Sequence, residues 1–158
     1  MQVIRCVYMP FFDRGNKNQL SLFVETLDML QSLFDTYAHL APIKLVGDFN
    51  TQLPTDIKLG KNWFKKKGFS TYSHILYDFL DHNNLMAVDL LYKQPTAYTF
   101  FCHKNRHYTW IDHIICSRDE LIKIKSCQIT PEEPNNLSDH LPVQVVFSLS
   151  ITKNYNAS

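Results

Sequence analysis

The sequence predicts an α/β domain, a mixed β-sheet with helices on its outer side, and three observations predict it. Short apolar runs rich in β-branched residues open and close the chain, at 3–9 and 141–150. Over 20–37 the apolar period switches to three and four. The last third reads as successive strands separated by polar turns. With 158 residues, 45% of them hydrophobic, the chain can bury one substantial core and has little room for a second. The expected domain is 1–150, followed by a ragged tail at 151–158.

The elements follow in order. VIRCVYM at 3–9 forms the first strand, ended by Pro10. Termini are usually frayed, so a chain that starts inside a strand raises the expectation that upstream sequence has been lost. FFDRGNKNQ is a polar connection. Leu20, Phe23, Val24, Leu27, Leu30 and Phe34 then recur three or four apart while Glu25, Asp28, Gln31 and Asp35 fall outward, as an amphipathic helix ending near Tyr37 to His39 requires. Pro42 introduces the strand IKLV, whose end delivers Asp48 and Asn50 in the turn GDFN. Residues 51–70 have no clean period and read as an exposed loop. A second helix is expected over Thr71 to His82, burying Ile75, Leu76 and Phe79, and the short strand LMAVD follows. AYTFFCH and HYTWIDHIICS flank the turn KNR as a hairpin. Alternation in the second of these puts Trp110, Asp112 and Ile114 on one face and Ile111, His113 and Ile115 on the other. LIKIKSCQI is a further strand, PEEPNN a loop, and LPVQVVFSLS the last strand.

Composition excludes several functions. Sixteen Lys plus Arg against fifteen Asp plus Glu leave a net charge of +1, so any nucleic-acid contact must come from a local basic patch. Cys6, Cys102, Cys116 and Cys127 form no metal-binding spacing and read as reduced, apolar-packing thiols of an intracellular protein. The start MQVIRCVYMPFFD has Arg5 inside its apolar run and no small-residue cleavage site, unlike a signal peptide. No run approaches the roughly eighteen uncharged apolar residues of a membrane span.

The chemistry concentrates in GDFN at 47–50, WIDHI at 110–114 and LSDHLPV at 137–143. Each places an Asp at a strand boundary, where a rigid sheet can aim it into a shared cleft. Any one of them alone could be an ordinary turn cap. Together, Asp48, Asn50, Asp112, Asp139 and His140 supply what phosphoester hydrolysis needs. Carboxylates hold a hard divalent cation, an imidazole moves a proton, and a neutral amide grips a phosphate oxygen.

In this order, YMP at 8–10, GDFN, WIDH and SDHLPV resemble the second half of the endonuclease/exonuclease/phosphatase superfamily, the deoxyribonuclease I-like proteins. The likeness covers about residues 3–149 and is strongest to the endonuclease domains of non-LTR retrotransposon polyproteins. It implies part of a four-layered α/β sandwich and assigns roles. Tyr8 contacts the phosphate at its strand end, Asp48 orients or deprotonates the attacking water, and Asn50 holds a phosphate oxygen. Asp112 orients and polarises His140, His140 contacts the scissile phosphate or transfers a proton, and Asp139 sits near the metal. The link from Asp112 to His140 is also sound chemistry on its own, because a carboxylate fixes an imidazole tautomer.

The family pattern also includes an Asn and a metal-binding Glu ahead of the strand that carries the Tyr. Only seven residues precede Tyr8, and neither is among them. Glu25 follows Tyr8, in the wrong order; Phe11 stands where an Asn can occur, and Asn16 is the first nearby candidate. The resemblance therefore implies an N-terminal half that this chain lacks and an incomplete active site.

The expected function is a DNA endonuclease using Mg²⁺ or Mn²⁺ and leaving a 3′-hydroxyl. Its expected partners are DNA, the missing half and a polyprotein reverse transcriptase, and its expected workplace is the nucleus. The alternatives are a noncatalytic DNA-binding or protein-binding remnant, and a phosphatase acting on phosphoinositides or small phosphate esters. Lys58, Lys61, Lys65, Lys66 and Lys67, interleaved with Trp63 and Phe64, could border a DNA groove or simply face solvent. His103, Arg106 and His107 could insert near DNA but read better as a plain polar turn, His74 and His82 read as structural or solvent-facing, and Trp110 as packing ahead of base recognition. Asp89 could cap a turn or approach the cleft, and stands outside the core site.

Overall fold

Aliphatic and β-branched runs build the strands, and the three-to-four period builds the helices. A computed structural model describes residues 2–11, 18–54, 69–131 and 136–148. The order is β1 (Val3–Tyr8), α1 (Asn18–Tyr37), β2 (Ile43–Asp48), α2 (Thr71–His82), β3 (Leu85–Ala87), β4 (Phe100–Cys102), β5 (His107–Thr109), β6 (Asp112–Ser117), β7 (Ile124–Ile129) and β8 (Val143–Phe147). Four strands form a mixed sheet in the order β1-β2-β6-β3, with β1 parallel to β2 and the other pairs antiparallel. β4 pairs with β5 and β7 with β8 in separate two-stranded sheets.

Alternation along β2 and β6 divides the core in two. Ile43, Leu45 and Ile115 join a cluster with Phe23, Leu27, Leu30 and Phe34 of α1 and Tyr72, Leu76, Phe79 and Leu80 of α2. Cys116 and Ile114, on the other face, pack with Val88, Ile124 and Cys127, flanked by Val46, Val143, Val145 and Phe147. The helices thus cover one face and the β7–β8 pair lies against the other. α2 starts where expected because Ser70 Oγ accepts the Ser73 N–H at 3.2 Å, a cap whose loss costs about 1 kcal/mol. Among the described residues, no helix is long and apolar enough to cross a membrane.

Several local expectations change. HYTWIDHIICS is two strands in different sheets, because β5 ends at Thr109 and β6 begins at Asp112. Alternation therefore does not reach back to Trp110, whose Nε1 donates to Asp89 at 2.8 Å, beside the contact His113 makes with the same oxygen. LMAVD is strand only to Ala87, and Val88–Leu91 closes into a tight 3₁₀ turn. The strand expected from Leu121 begins at Ile124, after a 3₁₀ turn at Arg118–Lys123 that buries Glu120 against Lys44. In α1, Leu20 and Val24 are exposed, and Gln19 shares the buried face instead. Cys6 is exposed rather than packed, whereas Cys116 and Cys127 are buried. Burial pushes the Cys116 thiol up to about 11 and the Cys127 thiol up to about 12.

Candidate active site

The turn GDFN owes its glycine to β1. Gly47 pairs with Val7 in the parallel ladder with φ +146°, and a Cβ there would lie 1.9 Å from the Val7 carbonyl oxygen. No other residue can bring β2 this close at that backbone angle. The next residue, Asp48, is directly opposite Tyr8 on one side and Asp112 on the other. Partners in register share a face, so Tyr8, Asp48 and Asp112 form a row across three strands on the face away from the helices. After Asp48 the chain turns sharply. Asn50 adopts φ +48°, its N–H donates to Asp48 Oδ1 at 2.8 Å, and its Nδ2 donates to the Met9 carbonyl at 2.8 Å.

His140 reaches this row from the opposite layer. In LSDH, Asn136 Oδ1 accepts the Ser138 N–H at 3.0 Å and Ser138 Oγ accepts the His140 N–H at 3.1 Å, which fixes a tight local turn. Its flanks are tied to β4: Phe101 N–H donates to the Asp139 carbonyl at 2.9 Å, and Leu141 N–H to the Thr99 carbonyl at 2.7 Å. The Phe100 and His140 rings lie 4.8 Å apart. So held, His140 Nδ1 meets the Asp112 carboxylate at 3.0 and 3.1 Å.

Thr99 is not among the residues the sequence singles out, yet it joins the two halves of this pair. Fully buried, its hydroxyl accepts the N–H groups of Ile111 and Asp112, both at 3.0 Å, while its carbonyl holds Leu141. The only signal was a hydroxyl inside the aromatic text AYTFF.

Asp48, Asp112 and His140 bring one ligand atom each within 4.8 Å of one another. Like charges directly opposite on neighbouring strands repel. Burial lifts the Asp48 carboxyl above its ordinary range, and the Asp112 carboxylate lifts it further; the Asn50 N–H and the charges of His140 and His113 pull the other way. Two convergent carboxylates fit a divalent cation that prefers oxygen, and the raised Asp48 carboxyl suits a group that takes a proton.

The remaining candidates fall in different places. Tyr8 is 74% exposed at the end of the row. Asp139 is half exposed, 4.0 Å from His140 Nε2 and outside the three-residue cluster. Asn50 borders Asp48 but turns an amide hydrogen toward β1. Lys58, Lys61, Lys65, Lys66 and Lys67 lie outside the described residues, as do Asn16 and the tail. His103, Arg106 and His107 are exposed on the β4–β5 hairpin, and His74 is half-buried on α2. An open cleft of about 630 Å³ beside the site is lined by Val46, Asp112, Ile114, Ser138, His140 and Val143, among others.

No family model and no curated protein matches the sequence. Solved structures do match. The chain is similar to the 3′ phosphatase NExo from Neisseria bound to a product DNA hairpin, with 20% identity, 92% of this chain and 61% of that one covered, and a TM-score of 0.67. It is similar to the Xenopus laevis APE2 catalytic domain, with 20% identity, 91% and 49% covered, and a TM-score of 0.68. It is also similar to the endonuclease domain of TRAS1, a telomere-specific non-LTR retrotransposon, with 15% identity, 89% and 56% covered, and a TM-score of 0.59. The chain therefore has the α/β fold of the endonuclease/exonuclease/phosphatase superfamily. It spans about half to three fifths of the length of these solved chains.

Proposed function

We propose that this chain is part of a divalent-metal-dependent phosphodiesterase of that superfamily, a DNA endonuclease of the retrotransposon type. The observation that carries the reading is the convergence of Asp48, Asp112 and His140, which come from three separate segments. With Nδ1 held by Asp112, His140 keeps Nε2 for a phosphate oxygen or a proton, and the carboxylate stabilises the charged ring. Asp48, its proton affinity raised, orients and deprotonates water. Tyr8, opposite Asp48 in the ladder, and Asn50, two residues after Asp48, would contact the phosphate from this edge of the sheet. Mg²⁺ or Mn²⁺ held by Asp48 and Asp112, with Asp139 on the far side of the His140 ring 4.0 Å from Nε2, would neutralise phosphate charge.

The reading includes a second half of the sandwich, supplied by sequence upstream and carrying the Glu ligand. Two observations support it: the matched solved chains are longer, and β1 leaves Ile4 63% exposed, with Cys6 also exposed, on the face that carries Tyr8. On this reading the nicked 3′-hydroxyl would prime a reverse transcriptase elsewhere in a polyprotein, in the nucleus.

The test is a nicking assay on supercoiled DNA with Mg²⁺ or Mn²⁺. The 158-residue chain alone should be inactive or very weak. Joined to an upstream segment that supplies the Glu, it should cleave in a metal-dependent way. An extended protein that binds DNA and never cuts it would establish the noncatalytic remnant instead, and one that releases phosphate only from small esters or phosphoinositides would establish a phosphatase.

A further inference from the structure

Behind the candidate site lies a buried carboxylate that the chemistry above does not use. Asp89, in the turn after β3, is wholly buried. Its Oδ1 accepts the Ile114 N–H at 2.9 Å, and its Oδ2 lies 2.8 Å from both Trp110 Nε1 and His113 Nδ1. His113, 1% exposed, points its Nε2 at the Thr51 carbonyl, 3.4 Å away. The partners are not scattered. Trp110 and Ile114 stand two residues either side of Asp112, His113 is its neighbour, and Thr51 follows Asn50. One carboxylate thus grips β6 around Asp112 and, through the His113 ring, reaches the turn that carries Asp48 and Asn50.

The chemistry of the group matters. A carboxylate buried this deeply costs several kcal/mol unless it is paired and hydrogen-bonded, and three N–H groups converge on its two oxygens. An amide could offer only one oxygen to that arrangement and would turn its own N–H toward a donor.

We infer that Asp89 and His113 are positioning residues, which set Asp112 against the Asp48–Asn50 turn and so hold Asp112 on His140. This rests on the phosphodiesterase reading only for its catalytic consequence; the geometric claim stands apart from it. Neither residue touches substrate, so their loss should lower turnover and leave DNA affinity alone. Outer partners that orient site carboxylates and imidazoles are commonly worth about 10- to 100-fold in activity.

The experiment compares Asp89→Asn, His113→Phe and Trp110→Phe with Glu120→Gln, a buried ionic change at the far end of the same sheet face. Nitrogen-15 spectra of the His140 ring are recorded on the 158-residue chain, and kcat and KM for supercoiled plasmid on the extended, cleaving protein. Expected are a displaced His140 Nδ1–H signal in Asp89→Asn and His113→Phe, a smaller displacement in Trp110→Phe and none in Glu120→Gln. Expected too is a kcat lowered about 10- to 100-fold with KM within about twofold. Should Asp89→Asn fail to fold, His113→Phe and Trp110→Phe, which keep the carboxylate, carry the test. Unchanged His140 signals in the folded variants would overturn the inference, as would an equal displacement in Glu120→Gln or a loss expressed wholly in KM. If no form cleaves DNA, the functional reading falls, while the His140 spectra still decide the positioning.

Discussion

Two ends of one sheet face handle charge in opposite ways. At one end Lys44, 2% exposed, lies 3.2 Å from Glu120, which Lys123 meets at 2.5 Å, and the Lys44 ammonium sits 4.6 Å from the centre of the Phe147 ring. At the other end Asp48 and Asp112 stand opposite each other, with the His140 ring 3.0 Å from the Asp112 carboxylate. The first set carries its own counter-charges and serves the packing of β7 and β8 onto β2. The second set is short of positive charge, which is the condition for binding a cation and for holding a reactive carboxylate. Buried charge in a small domain therefore reads as structural where it is matched within the fold, and as a site where it is not.

This contrast makes predictions at each end. The largest concerns the matched end: Glu120→Gln leaves Lys44 without its carboxylate and should cost about 3 kcal/mol by urea denaturation, the low end for breaking a buried pair because the amide oxygen still accepts. Any cleavage by the extended protein should survive it. Next, His140→Ala or Asp48→Ala should slow that cleavage at least about 100-fold, with little change in stability. Smaller still, Asp48→Asn should stabilise the chain by about 0.2–1 kcal/mol, since it removes a like-charge pair on neighbouring strands. A loss of stability on that substitution would mean that the row of carboxylates is compensated after all.

The two ends should also respond to pH with opposite sign. Asp48 titrates above its unfolded value of about 4, so the folded chain loses stability as pH rises from there through the raised value. Burial alone would raise Glu120 as well, but its hydrogen bonds and ion pairs with Lys123 and Lys44 outweigh burial and lower it. Its stabilisation is present above about pH 4 and is lost as pH falls through the lowered value. Denaturation across the acid range should show the first slope vanish in Asp48→Asn and the second in Glu120→Gln.

Much of this was legible in the chain. α1 and α2 announce themselves by period, β1 and β2 by β-branched runs, and Asp48, Asp112 and His140 by motifs at strand ends. What could not be read was the network of hydrogen bonds between segments. Thr99 holds Asp112 and Leu141 through groups that any threonine carries, and Asp89 looks like a turn cap until its three donors are in place. Trp110 and His113 meet on one oxygen because β6 starts only at Asp112, so the alternation assumed from Trp110 does not apply. Lys44 sits in an apolar run, and only the 3₁₀ turn that brings back Glu120 explains its burial.

Mn²⁺ binding to the 158-residue chain, followed by paramagnetic resonance, tests the central claim most directly. The account predicts a bound ion that disappears in the double variant Asp48→Asn with Asp112→Asn and persists in Glu120→Gln. Mn²⁺ held equally well by the double variant, or lost equally in Glu120→Gln, would contradict it.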